Sequence, residues 1–347
     1  MTIQLSVLDH SWITSGQDAA AAFARTIELA QRTEELGYSR FWVSEHHDTP
    51  NIAGSSPEVL ISHLLAKTDR IRVGSGGIML QHYSPYKVAE NFNVLASLAP
   101  GRVDLGIGRA PGGLPRATAA LSPYSPHAPS VDEKLEQLAS HLKEAVPEDP
   151  SVAGLRAIPI PPSPPELYVL GSSESSGLLA AKLGLPYVFA LIINEDVDAA
   201  ARAFRLYRSN FRENAAGPRA LLALSVIVGE TDEEAQRLAS ENARIKFIFE
   251  NGQTYTALSR QEAASLRFQG RYTTRSQPQQ TVFGSKVSVR RKLLELQRDF
   301  GVEEFLVTTI LEDFDARVRS YRLLMDAFPE AAESRTASAK AAYPKNV

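Results

Sequence analysis

Two adjacent histidines, His46 and His47, are preceded by Glu45 and follow a short apolar run, Phe41-Trp42-Val43. An imidazole titrates near neutrality and can act as acid, base or hydrogen-bond donor, and a carboxylate beside it can orient it. The plain alternative, a histidine packed under a loop, suits either residue singly better than the pair. A metal site would need more ligands. His10 and His82 are the candidates, but no helical His-Glu-x-x-His spacing accompanies them.

Two further strand ends carry unusual residues. Val73-Gly74-Ser75-Gly76-Gly77-Ile78 is a strand that dissolves into glycines. Glycine there lets a flat ring approach the backbone, or simply permits a tight turn. Arg109 follows the run Val103 to Gly108 and precedes Ala110-Pro111-Gly112-Gly113. An arginine so placed suits a phosphate or carboxylate, and would also serve as an ordinary surface residue.

The clearest ligand signal is Gly171-Ser172-Ser173-Glu174-Ser175-Ser176-Gly177, which follows an apolar run and opens a helix. Free backbone N–H groups, the helix dipole and several hydroxyls make an anion site, whereas capping alone needs one serine. The lysine of a Walker loop is missing. With Arg109 on an adjacent strand end, the loop suggests one phosphate on one cofactor.

The elements that must position these residues alternate. Apolar runs that read as strands begin near Gln4, Arg40, Ile71, Val103, Leu167, Tyr187, Leu221 and Glu304, each followed by a helical pattern. Ser56-Pro57-Glu58 predicts a helix start with a capping serine, and Thr231 to Glu234 predicts a capping box. Eight such units in 347 residues are the arithmetic of an α/β fold of the (β/α)8 TIM-barrel type, whose ligands sit at the C-terminal strand ends. A doubly wound open sheet is the other candidate, but Leu8-Asp9-His10-Ser11-Trp12 has no glycine fingerprint after the first strand. Two stretches break the rhythm: 112–165, with one amphipathic helix from about Val131 to Ala145, and 251–285, which reads as irregular and polar. Both are expected to be insertions on the C-terminal face of a single domain spanning 1–347. The tail beyond Pro329 is expected to fray.

Composition narrows the function. A net charge of −3 with well-mixed charges argues against nucleic acid, whose partners carry a basic patch. Cysteine is absent, which excludes thiolate metal sites and disulfides and fits a reducing cytoplasm. No apolar run approaches the roughly 20 residues of a membrane span, and the N-terminus lacks a signal-peptide pattern.

In this order these pieces resemble the bacterial luciferase-like flavin monooxygenases, in their single-chain branch. The matching wording covers most of the chain: Trp42-Val43-Ser44-Glu45-His46-His47, Ser56-Pro57-Glu58-Val59-Leu60, Arg72 through Leu80, Pro100 through Gly106, Leu170-Gly171-Ser172-Ser173 and Arg319-Ser320-Tyr321. The resemblance implies a TIM barrel that uses FMN in its reduced form, oxygen and a small organic substrate. A flavin hydroperoxide would transfer one oxygen atom. It also implies a homodimer, and with no NAD(P)H motif in view a separate flavin reductase is expected. His46 falls on the family's active-site histidine and Glu45 on a neighbouring acid. Gly76 and Gly77, beside Ser75, fall at a cis peptide next to the flavin ring. Arg109, Ser172, Ser173 and Ser176, with Gly171, fall where the phosphate is held. A sister group uses deazaflavin for hydride transfer, and some relatives bind flavin without catalysis. Gln81 and Leu191-Ile192-Ile193-Asn194 depart from the family's wording, which leaves the substrate open. Phe283-Gly284-Ser285-Lys286 also departs, at a helix start.

Overall fold

The computed structural model describes residues 3–14, 16–113, 115–121, 129–143, 153–214, 216–241, 244–250, 254–257, 263–264, 266–268, 270–277 and 282–331. Strand β1 (Gln4–Asp9) precedes helix α1 (Ala19–Leu36), and β2 (Arg40–Val43) precedes α2 (Pro57–Lys67). Next, β3 (Arg72–Met79) runs through a 3-10 turn, Leu80–His82, into α3 (Pro85–Leu98). β4 (Val103–Gly108) is followed by α4 (Pro115–Leu121) and α5 (Val131–Leu142). Then come β5 (Glu166–Gly171), α6 (Glu174–Leu183), β6 (Tyr187–Ala190), α7 (Val197–Ser209), β7 (Ala220–Val228) and α8 (Asp232–Glu241). After an excursion through β8 (Arg244–Phe249), β9 (Thr254–Ala257), β10 (Tyr272–Gln277) and β11 (Val282–Gly284), the chain closes with α9 (Lys286–Phe300), β12 (Glu304–Thr308) and α10 (Phe314–Asp326).

Eight parallel strands close on themselves. β1 to β7 pair in chain order, β7 pairs with β12, and β12 pairs with β1. Strands covered on both faces read as unbroken apolar runs, and β7 is buried along its whole length. One core lies between strands and helices. A second fills the barrel interior with Leu8, Trp42, Tyr168, Leu170, Val188 and Leu306. Trp42 fits because β3 carries glycine opposite it. A Cβ on Gly74 would stand 2.9 Å from the indole nitrogen, and one on Gly76 would stand 2.6 Å from Leu8 Cδ1. These glycines are therefore dictated by interior packing as well as by any ligand.

Below this apolar layer the barrel is stoppered by charge. Buried Arg40 donates from Nε to Glu304 at 2.9 Å, and from Nη1 to Asp104 at 2.9 Å and Glu166 at 3.0 Å. Trp42 donates to the same Asp104, and Arg219 donates to Glu166 and to the Tyr168 hydroxyl. Although partial burial opposes it, the guanidinium groups of Arg40 and Arg219 draw the Glu166 carboxyl down to about 2.

Helix ends follow the sequence in most places. Gly37 and Gly184 close α1 and α6 with φ of 92° and 66°, a conformation glycine adopts freely. Thr231 accepts from Glu234 N as its capping role requires. Ser56 does occupy the cap position of α2, but its side chain makes no capping bond. The stretch 251–285 is a larger correction. Where it is described it is not irregular: β9 and β10 both pair antiparallel with β8, and β11 extends the edge of β7, while 251–253, 258–262, 265, 269 and 278–281 lie outside the described residues. The apolar side of that small sheet is aromatic: the Phe247 ring lies 5.1 Å from Phe268 and 5.3 Å from Tyr272. In 112–165, α5 forms as expected and ends at Leu142. It is pinned by Lys134, whose ammonium donates to the carbonyls of Gln81 at 2.7 Å and Tyr83 at 3.0 Å. The tail beyond 331 and much of 112–165 lie outside the described residues.

Candidate active site

The loops after β1, β2 and β3 bring the histidines to one rim. Glu45 is fully buried and every direction of its carboxylate is used. Oε1 accepts from His47 Nε2 at 2.7 Å and from the Tyr83 hydroxyl at 2.7 Å, and Oε2 accepts from the backbone N–H of Met79 at 2.9 Å. Burial and the Glu45 carboxylate together push the Tyr83 phenol well above its ordinary range. Glu45 thus ties the end of β2 to the end of β3, two residues past Gly77. His47 faces this carboxylate, and its backbone N–H bonds Gly112 O at 2.7 Å.

His46 points the other way. Its Nδ1 lies 3.1 Å from Ser44 Oγ, which in turn lies 2.8 Å from His10 Nδ1. The two rings meet edge to face at 5.6 Å, and the Trp12 ring lies tilted against His10 at 5.0 Å. Burial and, second, the neighbouring His47 pull the His46 imidazole down to about 4, so it is neutral at physiological pH. Glu45 and His46, adjacent in sequence, therefore serve different groups.

The Gly76–Gly77 peptide is cis, where β3 bulges against β4. A Cβ on Gly77 would stand 2.7 Å from both Gly106 O and Gly108 N. Ser75 is engaged with its neighbour: its hydroxyl donates to Gly106 O at 2.9 Å and accepts from Gly106 N at 3.1 Å.

Next along the rim, β4 and β5 present the anion-binding candidates. Ser173 caps α6. Arg109 reaches Ser175 Oγ at 3.3 Å from Nη1, and Asp132 on α5 at 3.0 Å from Nη2. The Ser172 hydroxyl makes no hydrogen bond among the described residues, while its carbonyl accepts from Asn194 at 2.9 Å. Ser176 is buried and turns inward, donating to Ser173 O at 2.6 Å and meeting the Tyr187 hydroxyl at 3.0 Å. Gly171 is required by that turn, because a Cβ there would stand 2.2 Å from Ser176 Oγ. The proposed phosphate residues thus converge, except that the Ser176 hydroxyl supports the loop from within.

Sequence reasoning did not single out Tyr83, Tyr187 or Asp132, since each matters only through a partner distant along the chain, and it quoted Ser44 and Ser175 only within longer motifs. Among the described residues, the buried side-chain atoms without a hydrogen-bond partner include Trp12 Nε1, His82 Nδ1 and Thr308 Oγ1 at this rim. Thr308 lies two residues beyond the interior-facing Leu306, on the same face of β12. Groups left unsatisfied in this way cluster where a ligand completes the bonding. Among the described residues no group of three or more histidine, aspartate or glutamate side chains could hold a metal ion. None of the described helices is long and apolar enough to cross a membrane.

The sequence pattern of the family described as luciferase-like monooxygenase matches residues 1–309. A Bacillus subtilis (strain 168) protein named N-acetyl-S-alkylcysteine monooxygenase is 39% identical, over 94% of this chain and 98% of its own length. The apo crystal structure of MsnO8 is 35% identical, covers 94% of this chain and 98% of its own, and superposes with a TM-score of 0.76. The oxygenating constituent of 3,6-diketocamphane monooxygenase from Pseudomonas putida, solved in complex with FMN, shares the fold with a TM-score of 0.70 at 19% identity, covering 95% of this chain and 99% of its own. By its barrel and by this match over most of its length, the chain belongs to the luciferase-like monooxygenases, oxidoreductases that act with incorporation of oxygen.

Proposed function

We propose that this chain is a monooxygenase that takes reduced FMN as its cofactor and a small organic molecule as its substrate. The observation that carries the proposal is the division of one rim: a serine-lined helix terminus with Arg109 on β4 and β5, and His46 with the glycine edge on β2 and β3. The span suits a molecule with an anionic tail and a flat ring. Ser172, the free N–H groups of α6 and Arg109 would hold the phosphate, Arg109 exchanging Asp132 for the anion. Gly76 and Gly77, which lack the Cβ atoms their surroundings exclude, would lie against the ring.

Bound reduced FMN supplies the electrons that activate oxygen. The chain's part is to orient the ring, exclude water and provide a proton at His46 Nε2. Neutral His46 can donate a hydrogen bond from the nitrogen that carries its proton, and gives that proton up only if another reaches the opposite nitrogen. Glu45 would act through structure, fixing His47 and the backbone of Met79, so we assign it a positioning role. Val59 on α2 and Leu98 on α3 are exposed aliphatic side chains, which supports pairing of two chains through these helices. A cytoplasmic homodimer served by a separate flavin reductase fits this reading.

The test is direct. The purified protein is titrated with FMN and with reduced FMN, then assayed with a flavin reductase, NADH and oxygen. Given the relative that carries that name, an N-acetyl-S-alkylcysteine is the first substrate to try. Saturable binding and substrate-dependent oxygen transfer that fails in His46→Asn are expected. No flavin binding in either redox state would overturn the proposal.

A further inference from the structure

His10 and His46 lie 36 positions apart, yet they share one hydroxyl. Ser44 Oγ is 2.8 Å from His10 Nδ1 and 3.1 Å from His46 Nδ1, and Ser44 and His10 are buried. A hydroxyl owns one proton, and a neutral imidazole has one N–H. The oxygen could accept from both rings, but the buried Ser44 O–H would then lack an acceptor among the described residues; with that proton satisfied, Ser44 donates to one ring and accepts from the other. The ring that receives must then carry its proton on Nε2, and the ring that gives must carry it on Nδ1.

We propose that Ser44 locks His10 and His46 into opposite tautomers and passes protons between them, so that His10 and Ser44 are positioning residues that set whether His46 Nε2 is an acid or a base. When Ser44 donates to His46, Nε2 of His46 bears a proton and can give it. When Ser44 donates to His10, Nε2 of His46 is bare and can take one. Passage between the two states balances. A proton reaching bare His46 Nε2 sends the Nδ1 proton to Ser44, the hydroxyl proton passes to His10 Nδ1, and His10, briefly an imidazolium, gives its Nε2 proton to water. Among the described residues, the titratable groups beside the relay include Asp9, next to His10 and paired with Arg317 on α10 at 2.7 Å, and Glu45 and His47, next to His46. Burial opposes it, but Arg317, Thr26 and His10 together hold the Asp9 carboxyl below its usual range. A positive charge passing through His10 therefore has a carboxylate neighbour.

This inference builds on the reading of His46 as the proton-handling residue, but its primary test needs neither cofactor nor turnover. In full-length protein labelled with nitrogen-15 histidine, two-bond proton–nitrogen spectra at pH 7.5 report each ring's tautomer, with His10→Asn and His46→Asn giving the assignments. One Nδ1–H ring and one Nε2–H ring are expected. His10→Asn should shift the His46 tautomer ratio when Ser44 is present and leave it unmoved in Ser44→Ala. Identical tautomers in the two wild-type rings, or a His46 ratio indifferent to Ser44→Ala, overturns the relay. Should Ser44→Ala fail to fold, the wild-type spectrum alone decides. As a second readout, Ser44→Ala should lower kcat at least tenfold and displace its pH profile while leaving the flavin Kd unchanged. If flavin does not bind at all, the proposed function fails while the tautomer result stands.

Discussion

Arg109 Nη2 lies 3.0 Å from Asp132 Oδ1, so the arginine assigned to a phosphate is held by a carboxylate at the first turn of α5. The acid keeps the guanidinium in place but competes with any anion for it. Asp132→Asn should therefore tighten FMN binding several-fold, in line with the value of about 0.5–1 kcal/mol for a partly exposed ion pair. Arg109→Gln should weaken it by roughly tenfold to a hundredfold, as expected for losing a charge-assisted bond. Isothermal titration of both variants checks the pair of signs. An Asp132→Asn protein that binds more weakly would show that Asp132 orients Arg109 more than it competes.

Ser172 and Ser176 should separate by readout. The Ser172 hydroxyl has no hydrogen bond among the described residues, so Ser172→Ala should lower flavin affinity, if it meets the phosphate, and leave stability within about 0.5 kcal/mol of wild type. The inward hydroxyl of Ser176 supports the loop and Tyr187, so Ser176→Ala should cost about 1–2 kcal/mol of stability. Urea unfolding and flavin titration on the two proteins distinguish these outcomes.

Arg40 carries the buried charge at the N-terminal mouth. Arg40→Met leaves Asp104 and Glu304 buried without their shared cation and should cost about 3–5 kcal/mol. The site is at the opposite end of the barrel, so flavin affinity of the folded fraction should not change. The depressed Glu166 carboxyl stabilises the folded chain above its unfolded value of about 4.5, and that contribution drains away as pH falls toward about 2. Denaturant midpoints measured at several pH values test both statements.

His46 gives the opposite kind of pH signal from an ordinary ion-paired histidine. Its folded value of about 4 lies below the unfolded 6.5. Between these values the unfolded chain binds a proton that the folded chain refuses, so stability drops as pH falls from 6.5 to 4. The total is on the order of 3 kcal/mol. His46→Asn removes this component, so the difference in stability between variant and wild type should shift across that window and be flat above it.

The barrel was legible in the sequence because strands buried on both faces cannot alternate polar and apolar, so Ala220–Val228 announces itself. The strands β8 to β10 were not legible. Tyr272–Gln277 is mostly polar, and its pairing with Arg244–Phe249 links residues far apart through stretches that read as loop. At the site, residue types pointed to the correct strand ends, but type does not give direction. Nothing in a run of serines tells which hydroxyl turns inward; that depends on the cap geometry of α6 and on Tyr187, eleven residues from Ser176. The hydroxyl shared by His10 and His46 was invisible for the same reason, since only closure of β1 against β2 brings those rings to Ser44.

Arg40 and the packed layer of Leu8, Trp42 and Tyr168 above it leave the barrel with a single doorway. Whatever settles deepest must arrive first and depart last. On the proposed reading, flavin and substrate would therefore share the C-terminal opening, and release of the deeper one would wait on the other.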